Sequence, residues 1–272
     1  MSPNNKLNRI GIRVLSWISI CGLLFFGFIA TFYLGRYYQI VAPKRTEVSF
    51  LAHSTSKVPS SLEHVDKIVF TGDSLTAYGD LHGGFIDSFR VYLRAIYPEK
   101  TFVVVGAGIA GETSGQIQQR FTKDAIAQKP QVVFVCSGTN DMRLNIPLST
   151  FEENVRKMIN EAGKNNIEVY LISIPISEDA KPRPREEEFN AALKKLAAEQ
   201  QVHYVDLNKV MAAVRAQYIE STGSQGYFLT VDGIHFSAAG NNIVCQQLLT
   251  GVGVPLEARN HVRLLSDPMS VR

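Results

Sequence analysis

A chain of 272 residues, 45% hydrophobic with 20 Gly and 11 Pro, has room for one large domain or two small ones and is neither collagen-like nor wholly disordered. Its formal charge of +3 is unevenly placed. Lys6, Arg9, Arg13, Arg36, Lys44 and Arg45 fall in the first 45 residues, which hold no acid, and the remainder carries 22 basic and 25 acidic residues, a net of −3. The positive charge therefore belongs to one terminal segment, and no basic stripe interleaved with aromatics marks a nucleic-acid partner.

Residues 1–13 form a short basic leader. Val14 to Gly35 follow, 22 residues without a charge that include Trp17, Leu23, Leu24, Phe25, Phe26, Phe28, Ile29 and Phe32. A helix needs roughly 20 apolar residues to cross the hydrocarbon core. Tyr33, Tyr37 and Tyr38 sit where an interfacial aromatic belt falls. The run is longer than the apolar stretch of a signal peptide, and no A-x-A pattern follows it. The segment 14–35 is thus expected to be a single membrane-spanning signal anchor, with a long cleaved signal peptide or a buried helix as alternatives. Basic residues on its two sides nearly balance, but a short basic leader usually stays inside. The bulk of the chain is expected outside the cytoplasm, periplasmic or extracellular.

Residues 36–64, rich in Ser, Thr, Pro and Lys from Val41 onward, read as a linker. Short apolar runs and helical periods then alternate. Strands are predicted at Lys67–Phe70, Phe102–Val105, Val132–Val135, Val169–Ile172 and Val202–Val205. Helices are predicted at Gly84–Tyr97, Ser114–Ala127, Pro147–Asn165 (Ser149 or Thr150 as N-cap), Arg185–Gln200, Lys209–Ile219 and Ala238–Leu249. Strands apolar on both faces, alternating with helices, predict a parallel sheet covered on both sides. This domain spans 65–255, and the tail 256–272 carries no predicted element. The cysteines Cys21, Cys136 and Cys245 are too few for a disulfide scaffold. A Cys136–Cys245 bond stays open beside the reading of both as small buried hydrophobes. No CxxC or HExxH spacing occurs, so no metal and no cofactor is expected.

In such a sheet ligands bind beyond the carboxyl ends of the strands. After the first strand stands Gly72-Asp73-Ser74-Leu75, whose serine is either a presented nucleophile or an ordinary turn residue. After the second stands Gly106-Ala107-Gly108-Ile109-Ala110-Gly111-Glu112. It fits G-x-G-x-x-G, but no acid ends the next strand to bind a ribose, and Glu112 occupies the lysine position of a phosphate loop. Gly108 instead offers a bare backbone N–H for an oxyanion, or makes a plain turn. After the third strand, Gly138-Thr139-Asn140-Asp141 provides an amide donor in Asn140 or a turn. Near the end, Asp232 and His235 are spaced so that the carboxylate can fix the imidazole tautomer.

Taken together and in this order, Ser74, Gly108, Asn140 and Asp232 with His235 resemble the four blocks of the GDSL or SGNH hydrolases, over residues 65–250. One departure is Gly106, where the second block often begins with Asn. The resemblance implies a flavodoxin-like three-layer sandwich with a five-stranded parallel sheet. It also implies ester hydrolysis through an acyl-enzyme. In that chemistry Ser74 is the nucleophile, His235 the base, Asp232 its orienting carboxylate, and the N–H groups of Ser74 and Gly108 with the Asn140 side chain the oxyanion hole. The expected substrate is a small-molecule, lipid or glycan ester. A general carboxylesterase or lipase comes first, a carbohydrate O-acetylesterase or thioesterase second, and a nucleotide-binding or inactive binding module is the alternative of another class. Tyr78, His82, Met142 to Leu144 and Tyr227 to Leu229 are the candidate cleft lining, with no basic cluster for a phosphate head group. The oligomeric state is not legible.

Overall fold

A computed structural model describes residues 57–179, 185–260 and 262, all within one compact unit, Arg45–Arg272. The predicted span at 14–35, its leader, most of the linker, Cys21 and most of the tail lie outside the described residues. Among the described residues no helix is long and apolar enough to cross a membrane.

The five predicted strands form β1 (Lys67–Gly72), β2 (Val103–Gly108), β3 (Val132–Cys136), β4 (Glu168–Ile172) and β5 (His203–Val205). They make one parallel sheet in the order β2-β1-β3-β4-β5, the flavodoxin-like order. Before the first strand stands α1 (Ser60–Glu63); between the strands run α2 (Ser74–Gly79), α3 (Phe85–Ile96), α4 (Ser114–Asp124), α5 (Thr139–Arg143), α6 (Leu148–Lys164) and α7 (Arg185–Gln200); after the last follow α8 (Leu207–Thr222), α9 (Ala238–Gly251) and α10 (Leu256–Arg259).

Strand alternation divides the apolar residues between two faces. Ile68, Phe70, Phe134 and Tyr170 pack with Phe85, Phe89 and Leu93 of α3 and Val244 and Leu248 of α9. Val69, Val133, Val169 and Leu171 pack with Ile117 and Phe121 of α4, Phe151 and Val155 of α6 and Phe189 and Leu193 of α7. The register sets Phe70 beside Phe134 and Phe134 beside Tyr170, so the first two rings stack at 4.5 Å and the second pair lies at 4.9 Å. The helix α3 buries Phe85, Ile86, Phe89, Tyr92, Leu93 and Ile96, the spacing of one helical face.

Several expectations change. The linker's end is part of the core, since Leu62 of α1 is fully buried and Ser61 Oγ donates to the Val252 carbonyl at 2.7 Å. Beyond Pro255, α10 carries a buried Arg259 that donates to the Gln246 carbonyl at 2.7 Å. The cap of α6 is Pro147 rather than Ser149 or Thr150, because a fixed φ near the helical value starts a helix without a side-chain acceptor. Cys136 and Cys245 are both buried free thiols.

Since β1 pairs with β2 on one side and β3 on the other, the connections leaving β1 and β3 diverge, the first to β2 and the second to β4. A crevice opens beyond their carboxyl ends. The loops after β1, β2 and β3 all reach it.

Candidate active site

Ser74 is the first residue of α2, directly after β1. The preceding Asp73 caps this helix, its Oδ1 accepting the Leu75 N–H at 3.0 Å. The cap turns the chain sharply out of the sheet and leaves the Ser74 side chain at the crevice. Ser74 Oγ lies 3.0 Å from His235 Nε2, and His235 Nδ1 lies 2.6 Å from Asp232 Oδ2. The other oxygen, Asp232 Oδ1, accepts the backbone N–H groups of Ile234 at 3.0 Å and His235 at 2.8 Å. Burial pushes the Asp232 carboxyl up, but the His235 ring and these two amides outweigh it and hold the carboxyl below its ordinary value. Tyr78, one turn along α2, sets its ring edge-on to His235 at 4.9 Å.

The loop bearing Asp232 and His235 is anchored from beneath by Glu178, which the sequence pattern does not single out. Its fully buried carboxylate accepts the N–H groups of Phe228, Leu229 and Thr230 and the Thr230 hydroxyl, and it pairs with Arg215 Nε at 2.8 Å. The Glu178 N–H in turn donates to the Gly233 carbonyl at 3.1 Å. At the far end of the loop, Ser237 Oγ accepts from Gly240 N and caps α9.

Asn140, buried in α5, donates from Nδ2 to the Glu112 carbonyl at 2.9 Å and approaches Asp73 Oδ2 at 3.4 Å. Its Oδ1 accepts from Arg143 Nη2 at 3.3 Å. The next residue, Asp141, ties α5 to the start of α4 by accepting Ser114 N–H at 2.8 Å and Ser114 Oγ–H at 2.6 Å. Ser74, Asn140 and His235 together line a cleft of about 520 Å³.

Gly108 does not line this cleft; Gly111 does. In a parallel ladder alternate amides face a given neighbour. Val103 and Ile109 donate to Asp66 and Gly72 of the β1 side, so the Gly108 N–H faces the outer edge of the sheet. Its glycine has a packing cause: a Cβ there would stand 2.2 Å from the Ala77 nitrogen of α2. Gly111 has the left-handed φ of +84° with open space where a Cβ would be, and it precedes the carbonyl that Asn140 holds. Glu112 pairs with Arg120 at 2.6 Å, and Arg120 also donates to the Ala107 and Gly72 carbonyls. That carboxylate locks the strand ends, so the G-x-G-x-x-G match gains no phosphate-binding residue.

The expected lining holds for Tyr78, Met142 and Arg143. His82 instead faces Asp87 at 3.1 Å, Tyr227 donates to Asp179 at 2.9 Å, Phe228 stacks on Tyr218 and Leu229 is core. Leu144 is exposed outside the cleft. Contrary to the expectation of no basic cluster, Arg143 and Arg185 both line it. Among the described residues no group of three His, Cys, Asp or Glu side chains is placed to hold a metal ion.

The buried Asp73 carboxyl is pushed up to about 7, chiefly by burial and further by the charges of Asp141 and Glu112, against the Leu75 N–H that lowers it. The fold therefore keeps a proton that the unfolded chain gives up near pH 4. The contribution of this group to stability falls from about pH 4 upward and levels off above about pH 7. Asp73→Asn cannot ionise and keeps a cap acceptor. Its urea-unfolding free energy is expected to be flatter than the parent's between about pH 4 and 7, by up to about 4 kcal/mol. Parallel pH profiles of the two proteins refute this.

A serine hydroxyl, an imidazole and a carboxylate in line at the switch point of an α/β sheet is the arrangement of a serine hydrolase. Residues 70–243 match the model of the GDSL-like Lipase/Acylhydrolase family, and the chain belongs to that family. It is 26% identical over 213 residues to the acetylxylan esterase of Geobacillus stearothermophilus, a match covering 69% of this chain and 94% of that one. The crystal structure of the acetyl xylan esterase AlAXEase superposes with a TM-score of 0.63 at 25% identity, over 68% of this chain and 99% of that one. An 82-residue stretch, 28% of this chain, is 34% identical to 34% of the uncharacterized lipoprotein YqeF of Bacillus subtilis (strain 168). The protein is an enzyme that hydrolyses ester bonds.

Proposed function

We propose that the protein is a carbohydrate O-acetylesterase that removes acetyl groups from an acetylated glycan through an acyl-enzyme. The observation that carries the substrate class is the nearly full-length match to an acetylxylan esterase. It supports the glycan ester, the second of the two expectations, over a general lipid ester. In the reaction His235 Nε2 takes the Ser74 proton as Oγ attacks the acetyl carbonyl. The imidazolium, held by Asp232, then protonates the leaving sugar hydroxyl. Water, deprotonated by the same imidazole, attacks the acetyl-serine and releases acetate. The Ser74 and Gly111 backbone N–H groups and the Asn140 amide serve as oxyanion donors. For Gly111 the support is its place on the cleft wall, three residues beyond the glycine that the sequence motif favours.

The test is acyl-chain profiling beside acetate release from acetylated xylo-oligosaccharides. The 4-nitrophenyl ester is expected to be cleaved best as acetate, with kcat/KM at least tenfold lower by octanoate, and the oligosaccharides are expected to be deacetylated. A preference for palmitate, with acetylated oligosaccharides untouched, overturns the glycan reading in favour of a lipase.

The same proposal includes a tether: residues 14–35 anchor the enzyme in the membrane, with the hydrolase domain, set at 65–255 from sequence, outside the cytoplasm. The charge-free run supports it. Protease added to right-side-out vesicles of the cytoplasmic membrane is expected to degrade the domain; protection there puts it inside.

A further inference from the structure

Two guanidinium groups face the cleft, and among the described residues no Asp or Glu lines it. Arg185, the first residue of α7, is held in place by a 2.8 Å bond from Nη2 to the Ile146 carbonyl and by stacking 4.7 Å over the Phe189 ring. Its acidic contact, Glu188, is half-exposed and 3.5 Å away. Arg143, at the end of α5, rests one nitrogen on Asn140 Oδ1, and among the described residues it has no ion-pair partner. The carboxylate of the catalytic arrangement, Asp232, is already committed to His235. Tyr78, Met142 and Ile234 supply apolar wall, which strengthens the field of the two cations inside the cleft.

We infer that this cleft selects ester substrates carrying a carboxylate on the alcohol part, as a uronic-acid-bearing acetylated saccharide does. Arginine suits this role because its planar fork matches a carboxylate with two parallel hydrogen bonds. An acetyl group has no atom to spare for a charge, so the carboxylate belongs to the alcohol. The inference rests on ester hydrolysis at Ser74 and adds the charge that the site recognises.

The test compares 4-acetoxybenzoate with its methyl ester, each kcat/KM divided by the rate constant for hydroxide-catalysed hydrolysis of the same ester so that the difference in phenol leaving ability cancels, using the full-length chain at low and high salt. Kinetics are taken for the parent, Arg143→Gln, Arg185→Gln, Arg185→Lys and the double glutamine variant. The parent is expected to prefer the carboxylate about tenfold in kcat/KM, mainly through KM, and less at high salt. Each glutamine variant is expected to reduce that ratio, the double variant to bring it to about one, and Arg185→Lys to retain part of it. Because Arg143 also touches Asn140, the ratio within each variant is the readout rather than the absolute rate. A parent ratio at or below one, or a ratio that survives in the double variant, overturns the inference and leaves the esterase reading standing. A preference found only for mono-4-nitrophenyl succinate over its ethyl-capped ester puts the charge on the acyl side and overturns it too. Failure to cleave any of these esters, with Ser74 unlabelled by a fluorophosphonate, removes the esterase reading itself.

Discussion

Replacing Ser74 by alanine is expected to lower kcat for acetyl ester hydrolysis by about 10⁴- to 10⁶-fold, with little change in KM or in thermal stability. The size follows from what is lost and what is kept. Without Oγ there is no attacking atom 3.0 Å from His235 Nε2, and no acyl-enzyme forms. The proposed oxyanion donors and the cleft persist, so a residual rate over water remains from binding and electrostatics alone. Stability is preserved because the cap of α2 is the Asp73 Oδ1 oxygen, not the serine, and alanine is a good helix former. Acetate release measured with enough enzyme to see a 10⁵-fold drop, beside a thermal melt, checks both halves. A fluorophosphonate should label the parent at Ser74 and leave the alanine variant unlabelled. Turnover within tenfold of the parent excludes Ser74 as the nucleophile.

The same residues show what can be read from one sequence. The strands were legible because each is a run of apolar residues bounded by polar ones, and the long helices because their apolar residues recur at helical spacing. The helices α2 and α5, six and five residues long, carry no period to detect, yet they hold Ser74 and Asn140 in place. Ser74, Asn140, Asp232 and His235 stood out by chemistry and order. Gly108 stood out for the wrong reason: glycine also occurs where two backbones approach closely, and only the ladder register tells which way its N–H points. Gly111 bore a signal, as a glycine further into the same loop, but the sequence does not say how far beyond the strand the cleft begins. Glu178 left no trace in the pattern. A carboxylate that gathers backbone amides from a loop 50 residues away becomes visible only when the fold brings them together. Arg143 fell within the stretch expected to line the cleft, but its partner there, Arg185, lies 42 residues away in sequence and is brought to the same cleft only by the fold.

Asp232→Asn is the sharper probe of how the imidazole is used, and its expected effect is a loss of about 10⁴ in kcat near neutral pH with the fold intact. The two oxygens of Asp232 do different work. Oδ1 accepts the Ile234 and His235 amides and so shapes the turn, and Oδ2 accepts the proton on His235 Nδ1. An asparagine keeps the first acceptor but presents an NH₂ group at the second. Nδ1 must then be the acceptor, which moves the ring proton to Nε2. The nitrogen facing Ser74 becomes a donor and no longer takes the serine proton. Asp232→Ala removes both contacts and is expected to lose turn stability as well as rate, so the difference between the two variants separates shape from tautomer. Thermal melts of the asparagine variant should overlay the parent's, while its acetate release falls by the stated factor. An asparagine variant with nearly full activity contradicts the assignment of His235 as the base. One that melts much earlier than the parent shows that the carboxylate's charge, and not merely its Oδ1 acceptor, holds the turn.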